Sequence, residues 1–210
     1  GLVGYNLNND ITRSHATGRV DGANKVGGLV GWNDGSNRQA ITESYATGTA
    51  NGTNGIGGLI GWNDGSNLHV QRSFATGTVT ATTGAAGGLI GNNRGPVANT
   101  SANGTVIGHV AGGGLVGRNT GTISNSLATG TVDYTARRTG GLVVDDGSGR
   151  GTTVDAYWDI NATNQSTSEG GTGVTTANLT GQSVSTVAGL NDTSVWTPTD
   201  SYPVLRWRVQ

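Results

Sequence analysis

Apolar residues in this chain come in short runs set between Gly, Asn, Ser, Thr and Asp, and the runs recur. Gly28-Leu29-Val30-Gly31-Trp32-Asn33-Asp34-Gly35 is nearly copied as Gly58-Leu59-Ile60-Gly61-Trp62-Asn63-Asp64-Gly65. Gly88-Leu89-Ile90-Gly91 and Gly114-Leu115-Val116-Gly117 keep the frame, Gly1-Leu2-Val3-Gly4 opens with it, and Gly141-Leu142-Val143-Val144 is a worn copy. Leucines 2, 29, 59, 89, 115 and 142 are separated by 27, 30, 30, 26 and 27 residues. A period of this size marks a repeat architecture.

A second phrase follows in each period, as in Ser44-Tyr45-Ala46-Thr47-Gly48-Thr49-Ala50 and Ser73-Phe74-Ala75-Thr76-Gly77-Thr78-Val79. Just before it stands Ile11, Ile41, Val70, Val97 or Ile123. Each period therefore holds three short apolar patches, rich in Val, Ile and Thr and bounded by turn formers, which read as strands. No window shows a helical period. Three strands in 26–30 residues are too few for a propeller blade. The pattern predicts an all-β parallel β-helix, a β-solenoid with one three-strand coil per repeat and coils ~4.8 Å apart. Repeats are expected over residues 1–151 and a capping segment over 152–210. The tail closes with Trp196-Thr197-Pro198 and Tyr202-Pro203-Val204-Leu205-Arg206-Trp207, and aromatics with this Pro-rich finish suit a plug over the last coil, where an open end would expose strand edges.

Stacked coils turn repeated positions into columns. The leucines form a core column, and His15, Tyr45, Phe74, Ala102 and Leu127 are expected to fill the same interior from another side. Asn6, Asn33, Asn63, Asn93 and Asn119, with Asp146 in the last copy, form an amide ladder. Gly35, Gly65, Gly95 and Gly121 are expected at positive φ, and the glycines flanking Leu-Val at positions too tight for a Cβ. Ile41 and Tyr45 share parity, so a bend or bulge is expected near Glu43-Ser44. It would leave Arg13, Glu43 and Arg72 outside as an alternating ion-pair stack.

Composition narrows the classes. There are 39 glycines, 3 prolines, one Phe, no Met and no Cys, with net charge -1. The glycines do not fall every third residue, which excludes collagen. Lack of a basic block argues against nucleic acid, and no apolar run reaches the ~20 residues of a membrane span. Absence of Cys excludes disulfide and Cys-zinc staples and fits an extracellular prokaryotic surface protein. The start in mid-motif points to a piece of a longer chain.

Gly-Gly-Leu-Val-Gly, then Asn-x-Gly, then Ser-Tyr-Ala-Thr-Gly-x-Val resembles the GLUG motif of bacterial and archaeal surface proteins. The copies at 28–50, 58–79 and 113–132 carry it best, and the tail from Ala156-Tyr157-Trp158-Asp159 to Tyr202-Pro203-Val204-Leu205 resembles the segment that often closes such arrays. Departures are Ala111 to Gly114, Arg19 in place of Thr, and the degenerate sixth repeat. The resemblance implies a secreted or wall-anchored protein of the filamentous-haemagglutinin-like adhesin kind, or a non-catalytic region of a surface protease. Implied partners are a host or neighbouring-cell surface protein or glycan, or adjacent copies in a surface assembly.

Candidate chemistry is thin. His15, His69 and His109 are scattered, and the close acidic pair is Asp145-Asp146, so a non-catalytic segment is favoured over a glycan-active enzyme with paired carboxylates. No cofactor is expected. Calcium is the one metal with candidate ligands, Asp34 and Asp64 in Asn33-Asp34-Gly35-Ser36-Asn37 and its copy; turn chemistry is the competing account. Tyr5, Trp32 and Trp62 form a column that binds glycan if exposed and fills core if buried. Thr47, Thr49, Thr76, Thr78, Thr129 and Thr131 resemble an ice-binding face, an array that β propensity also explains.

Overall fold

The computed structural model describes residues 1–35, 38–134, 138–144 and 151–209. They form a parallel β-solenoid of about five turns. The coil beginning at Val30 shows the plan, with strands Val30–Asp34, Ala40–Thr42, Tyr45–Ala46, Ala50–Gly52 and Asn54–Gly57. Equivalent strands pair in parallel and build five sheets, numbered 1 to 5 in that order. Each coil thus has five short strands rather than three. The second phrase divides at its Thr-Gly turn, and Asn54-Gly55-Ile56-Gly57 adds a strand of its own.

The bend expected at Glu43 separates sheets 2 and 3. Arg13, Glu43, Arg72, Asn99, Asn125 and Asp155 stack there with φ of 46–55°, a left-handed conformation that suits Asn and Asp and costs other residues roughly 1–2 kcal/mol each. The inward serine that follows secures it. Ser44 and Ser73 donate through Oγ to the carbonyls of Thr42 and Gln71 (both 2.9 Å). Ser73 Oγ also accepts the Ser44 N–H from the neighbouring coil at 3.1 Å. Outside, Glu43 bridges Arg13 at 3.0 Å and Arg72 at 3.4 Å, the predicted ion-pair stack.

The core follows the columns. Leu29, Leu59, Leu89, Leu115 and Leu142 are fully buried, whereas Leu2 in the first rung is 58% exposed. They pack with Ile41, Val70, Val97 and Ile123 in one apolar stack, and Val26, Ile56, Ala86, Val79 and Val106 form a second. Between the stacks the coil is pinched. A Cβ on Gly58 would lie 2.1 Å from the Gly88 carbonyl oxygen and 2.8 Å from Ala75 Cβ. These glycines serve close backbone approach, as predicted. The same holds for Gly65, Gly95 and Gly121, where positive φ was expected: a Cβ there would come within 2.2–2.4 Å of a carbonyl oxygen. Of that column only Gly35 has positive φ.

The mixed column differs in register and facing. Phe74 pairs with Ser101 and Ser101 with Leu127, so Ser101, not Ala102, belongs to it. The coil at Thr100 carries threonine where the others carry serine, and the match to Ser101 slips by one residue. The left-handed bend turns His15, Tyr45, Phe74 and Leu127 outward, and the inward positions are Ala46, Ala75, Ala102 and Ala128. His15, Tyr45 and Phe74 stack on the outside with centroids 4.9 Å apart and planes within 5°.

Stacking runs past residue 151. Thr152–Val154 joins sheet 2, and Tyr157–Asp159 and Thr172–Val174 join sheet 3. Trp158 takes the inward alanine's place and fills the end of the core. Ser168 Oγ accepts the N–H groups of Leu142 (3.2 Å) and Val143 (3.0 Å), covering the edge of the last sheet 1 strand. The end of the rod is therefore closed from within the solenoid's own chain path. The remaining tail is not a plug. It packs sideways on sheet 3, where Leu179, Val184, Leu190, Trp196 and Leu205 cover Phe74 and Leu127. Trp207 Nε1 donates to the Arg72 carbonyl at 2.8 Å. The Arg208 guanidinium lies 3.8 Å from the Phe74 ring centre. An outward aromatic column needs a cover, and the tail supplies it.

Buried Asp159 anchors this flank. It accepts from Tyr202 Oη (2.6 Å) and from the N–H groups of Asn161 (2.8 Å) and Ala162 (3.0 Å). Burial would raise its pKa, but the bonds from Tyr202, Ala162 and Asn161 together hold it below the usual value. Tyr202 is pushed up to about 12, by burial first and then by its bond to Asp159.

Leu59→Ala should cost about 2–5 kcal/mol and Gly58→Ala about 1–3 kcal/mol or more, read as lower denaturant midpoints. The tail lock has a pH window. A depressed Asp159 stabilises fully above its unfolded value, ~3.9, and loses this as pH falls through its folded pKa. A raised Tyr202 stabilises fully below ~10 and loses this as pH climbs through about 12. Tryptophan fluorescence should report release of Trp196 and Trp207 in acid and in strong alkali, and Tyr202→Phe should lose the alkaline transition.

Candidate functional site

Sheet 1 carries the predicted site residues. Asn33 pairs in register with Asn6 and Asn63, and Asn93 with Asn63 and Asn119. Each amide donates to the next: Asn6 to Asn33 at 2.7 Å, Asn33 to Asn63 at 2.8 Å, Asn63 to Asn93 at 2.9 Å and Asn93 to Asn119 at 2.8 Å. The second amide hydrogen closes the local turn, as from Asn93 to the Gly95 carbonyl at 2.7 Å. The ladder is buried, so these bonds carry structure. Asp146 of the sixth repeat lies outside the described residues, as does Asp145.

The neighbouring outward column reads Tyr5, Trp32, Trp62, Asn92, Arg118. Tyr5 is exposed, and its ring sits 4.9 Å from that of Trp32, tilted by 48°. Both tryptophans are half-buried, and their Nε1 groups are buried without a hydrogen-bond partner. Lys25, which sequence reading missed, places Nζ 3.1 Å from the Trp32 ring centre and 4.5 Å from that of Trp62. This cation–π contact means the three aromatics are not one open platform. Gly55 occupies the Lys25 position one coil on, at φ 70°. A Cβ there would fall 1.8 Å from Trp62 Nε1, so glycine makes the seat for the indole.

The flanking column is Asp34, Asp64, Arg94, Thr120. Asp34 accepts from Tyr5 Oη at 3.1 Å and from the Gly35 N–H at 2.8 Å. Asp64 pairs with Arg94 at 2.8 Å. Partial desolvation and then the bond to Asp34 raise the Tyr5 pKa. Each predicted metal carboxylate thus has a protein partner. Ser36 and Asn37, which complete the first calcium candidate, lie outside the described residues. Among the described residues no three His, Asp or Glu side chains gather as a metal site.

One open feature brings these columns together. A cleft of about 250 Å³ is bordered by Trp62, Asn92 and Arg118 on one side and by Asp64, Arg94 and Thr120 on the other, with ladder residues Asn63 and Asn93 also lining it. Trp32 and Tyr5 do not reach it. The threonine array is interrupted: Thr129 is buried and accepts from Asn103 Nδ2 at 2.7 Å.

No family model matches this chain, and no curated protein matches it. Among solved structures it is similar to a "putative immunoglobulin A1 protease from Bacteroides ovatus", with TM-score 0.68 and 18% identity. The match covers 96% of this chain and 75% of that one. At that identity the likeness is one of fold.

Asn63→Ala would strand the Asn33 amide donor and remove the bonds to Asn93 and Leu68. Unsatisfied buried groups cost about 1–3 kcal/mol each, so a loss of at least ~2 kcal/mol in denaturant unfolding is expected, against under ~0.5 kcal/mol for exposed Ser66→Ala.

Proposed function

We propose that this segment is a non-catalytic, extracellular β-solenoid scaffold of a prokaryotic surface adhesin or structural surface protein, and that sheet 1 displays a carbohydrate-binding cleft. The observation that carries the reading is the cleft itself. It sets an indole beside amides, a carboxylate and guanidinium groups on a sheet held in register by the amide ladder. Sugar rings present apolar C–H faces and a rim of hydroxyls, which this mixture of surfaces suits. Rigid strands keep the geometry fixed between free and bound states, lowering the ordering cost of binding. The GLUG-like repeats support the surface setting and the absence of a catalytic role.

Glycan-array binding tests this. Wild-type protein should retain a subset of glycans, Trp62→Ala should lose them, and Trp32→Ala, outside the cleft, should keep them. Retention of no glycan, or binding indifferent to Trp62→Ala, overturns the proposal. The fold neighbour's name supplies the competing reading, proteolysis of immunoglobulin A1; prolonged incubation should leave that substrate intact.

A further inference from the structure

The geometry points to a carboxylated sugar, a uronic-acid type residue, as the ligand of the sheet 1 cleft. The inference rests on reading that cleft as a carbohydrate site and adds the ligand's charge and the residue that recognises it. Asp64 and Arg94 neutralise each other across adjacent coils at 2.8 Å. Arg118, one coil further along the tryptophan column, is exposed and makes no hydrogen bond or ion pair among the described residues. Among the described residues that line it, the cleft therefore carries one uncompensated positive charge, in a chain whose net charge is -1.

Arg118 stands two strand spacings from Trp62, about 10 Å along the rod. That span leaves room for one sugar ring beside the indole with its carboxylate toward the guanidinium. The planar fork of arginine matches a carboxylate with two parallel bonds, and it is weakly hydrated enough to give up water for them. Asn92 lies between the two, and its Nδ2 is buried without a partner. The terminal amide torsion is soft, so a turn of that amide offers the donor to a ring hydroxyl. The volume, about 250 Å³, is below the roughly 300–1,000 Å³ of sites for larger ligands and suits a single residue of a chain. A neutral sugar leaves the guanidinium unused; a carboxylate without a ring leaves the indole unused.

Affinity electrophoresis in gels containing polygalacturonate, neutral dextran or sulfated dextran decides the matter. Polygalacturonate should retard the wild-type protein and neutral dextran should not. Arg118→Ala should weaken retardation at least about tenfold, and Arg118→Lys should recover little of it because the fork is lost. Arg19→Ala, with the same charge change beside sheet 4, should stay within about twofold, since screened charges so far away add little. Dextran binding that Trp62→Ala abolishes would preserve the carbohydrate reading and overturn the carboxylate. Equal retardation by sulfated dextran, or equal loss in Arg19→Ala, would also overturn it. Binding to no polysaccharide would overturn both.

Discussion

Every residue inside this rod has its own counterpart as nearest neighbour one strand spacing away. That constraint governs the structure. A side chain must tolerate a copy of itself at ~4.8 Å on either side, which favours leucine on leucine and amide on amide. Charge is the hard case, because like charges stacked in register repel. The outward column at the bend meets it by alternation, with Glu43 between Arg13 and Arg72. The site column meets it by changing residue type from coil to coil, and that change creates the cleft.

The second constraint is closeness across the coil. Glycine pairs pinch the section so that Ala46, Ala75, Ala102 and Ala128 touch backbone. Two narrow apolar stacks replace one wide core, which is how a chain with one phenylalanine fills its interior. Larger aromatics are excluded from the pinch and placed outside, except Trp158, which occupies the core's last rung. Outside, they need cover. The tail's sideways path and the stacked ring column thus answer to the same geometry.

Much of this was legible in the repeat. Leucine spacing gave the coil length, and the asparagines gave the ladder bond by bond. The parity conflict between Ile41 and Tyr45 located the bend at Glu43. What it hid was facing: a left-handed residue resets parity, so Tyr45 and Phe74 looked inward. Strand number was hidden by strand length, since Tyr45–Ala46, Ala50–Gly52 and Asn54–Gly57 are too short and too rich in Gly, Ala and Asn to show a strand pattern of their own. The cleft was obscured because Asn92 and Arg118 break the aromatic column, and Lys25 meets Trp32 only through the sheet 5 to sheet 1 turn. Reading the exceptions in a column, as well as its consensus, would have found Arg118.

The contact between Trp207 and the Arg72 carbonyl joins residues 135 positions apart, as the tail lies across a solenoid whose strands pair between adjacent coils. A load applied at the C-terminal end would therefore enter the rod at the coil of Arg72 and Phe74, along its flank. The seam formed by Trp207, Arg208 and their ring partners would be sheared before the strand ladders were peeled. The tail works mechanically as a strap that carries tension into the middle of the stack.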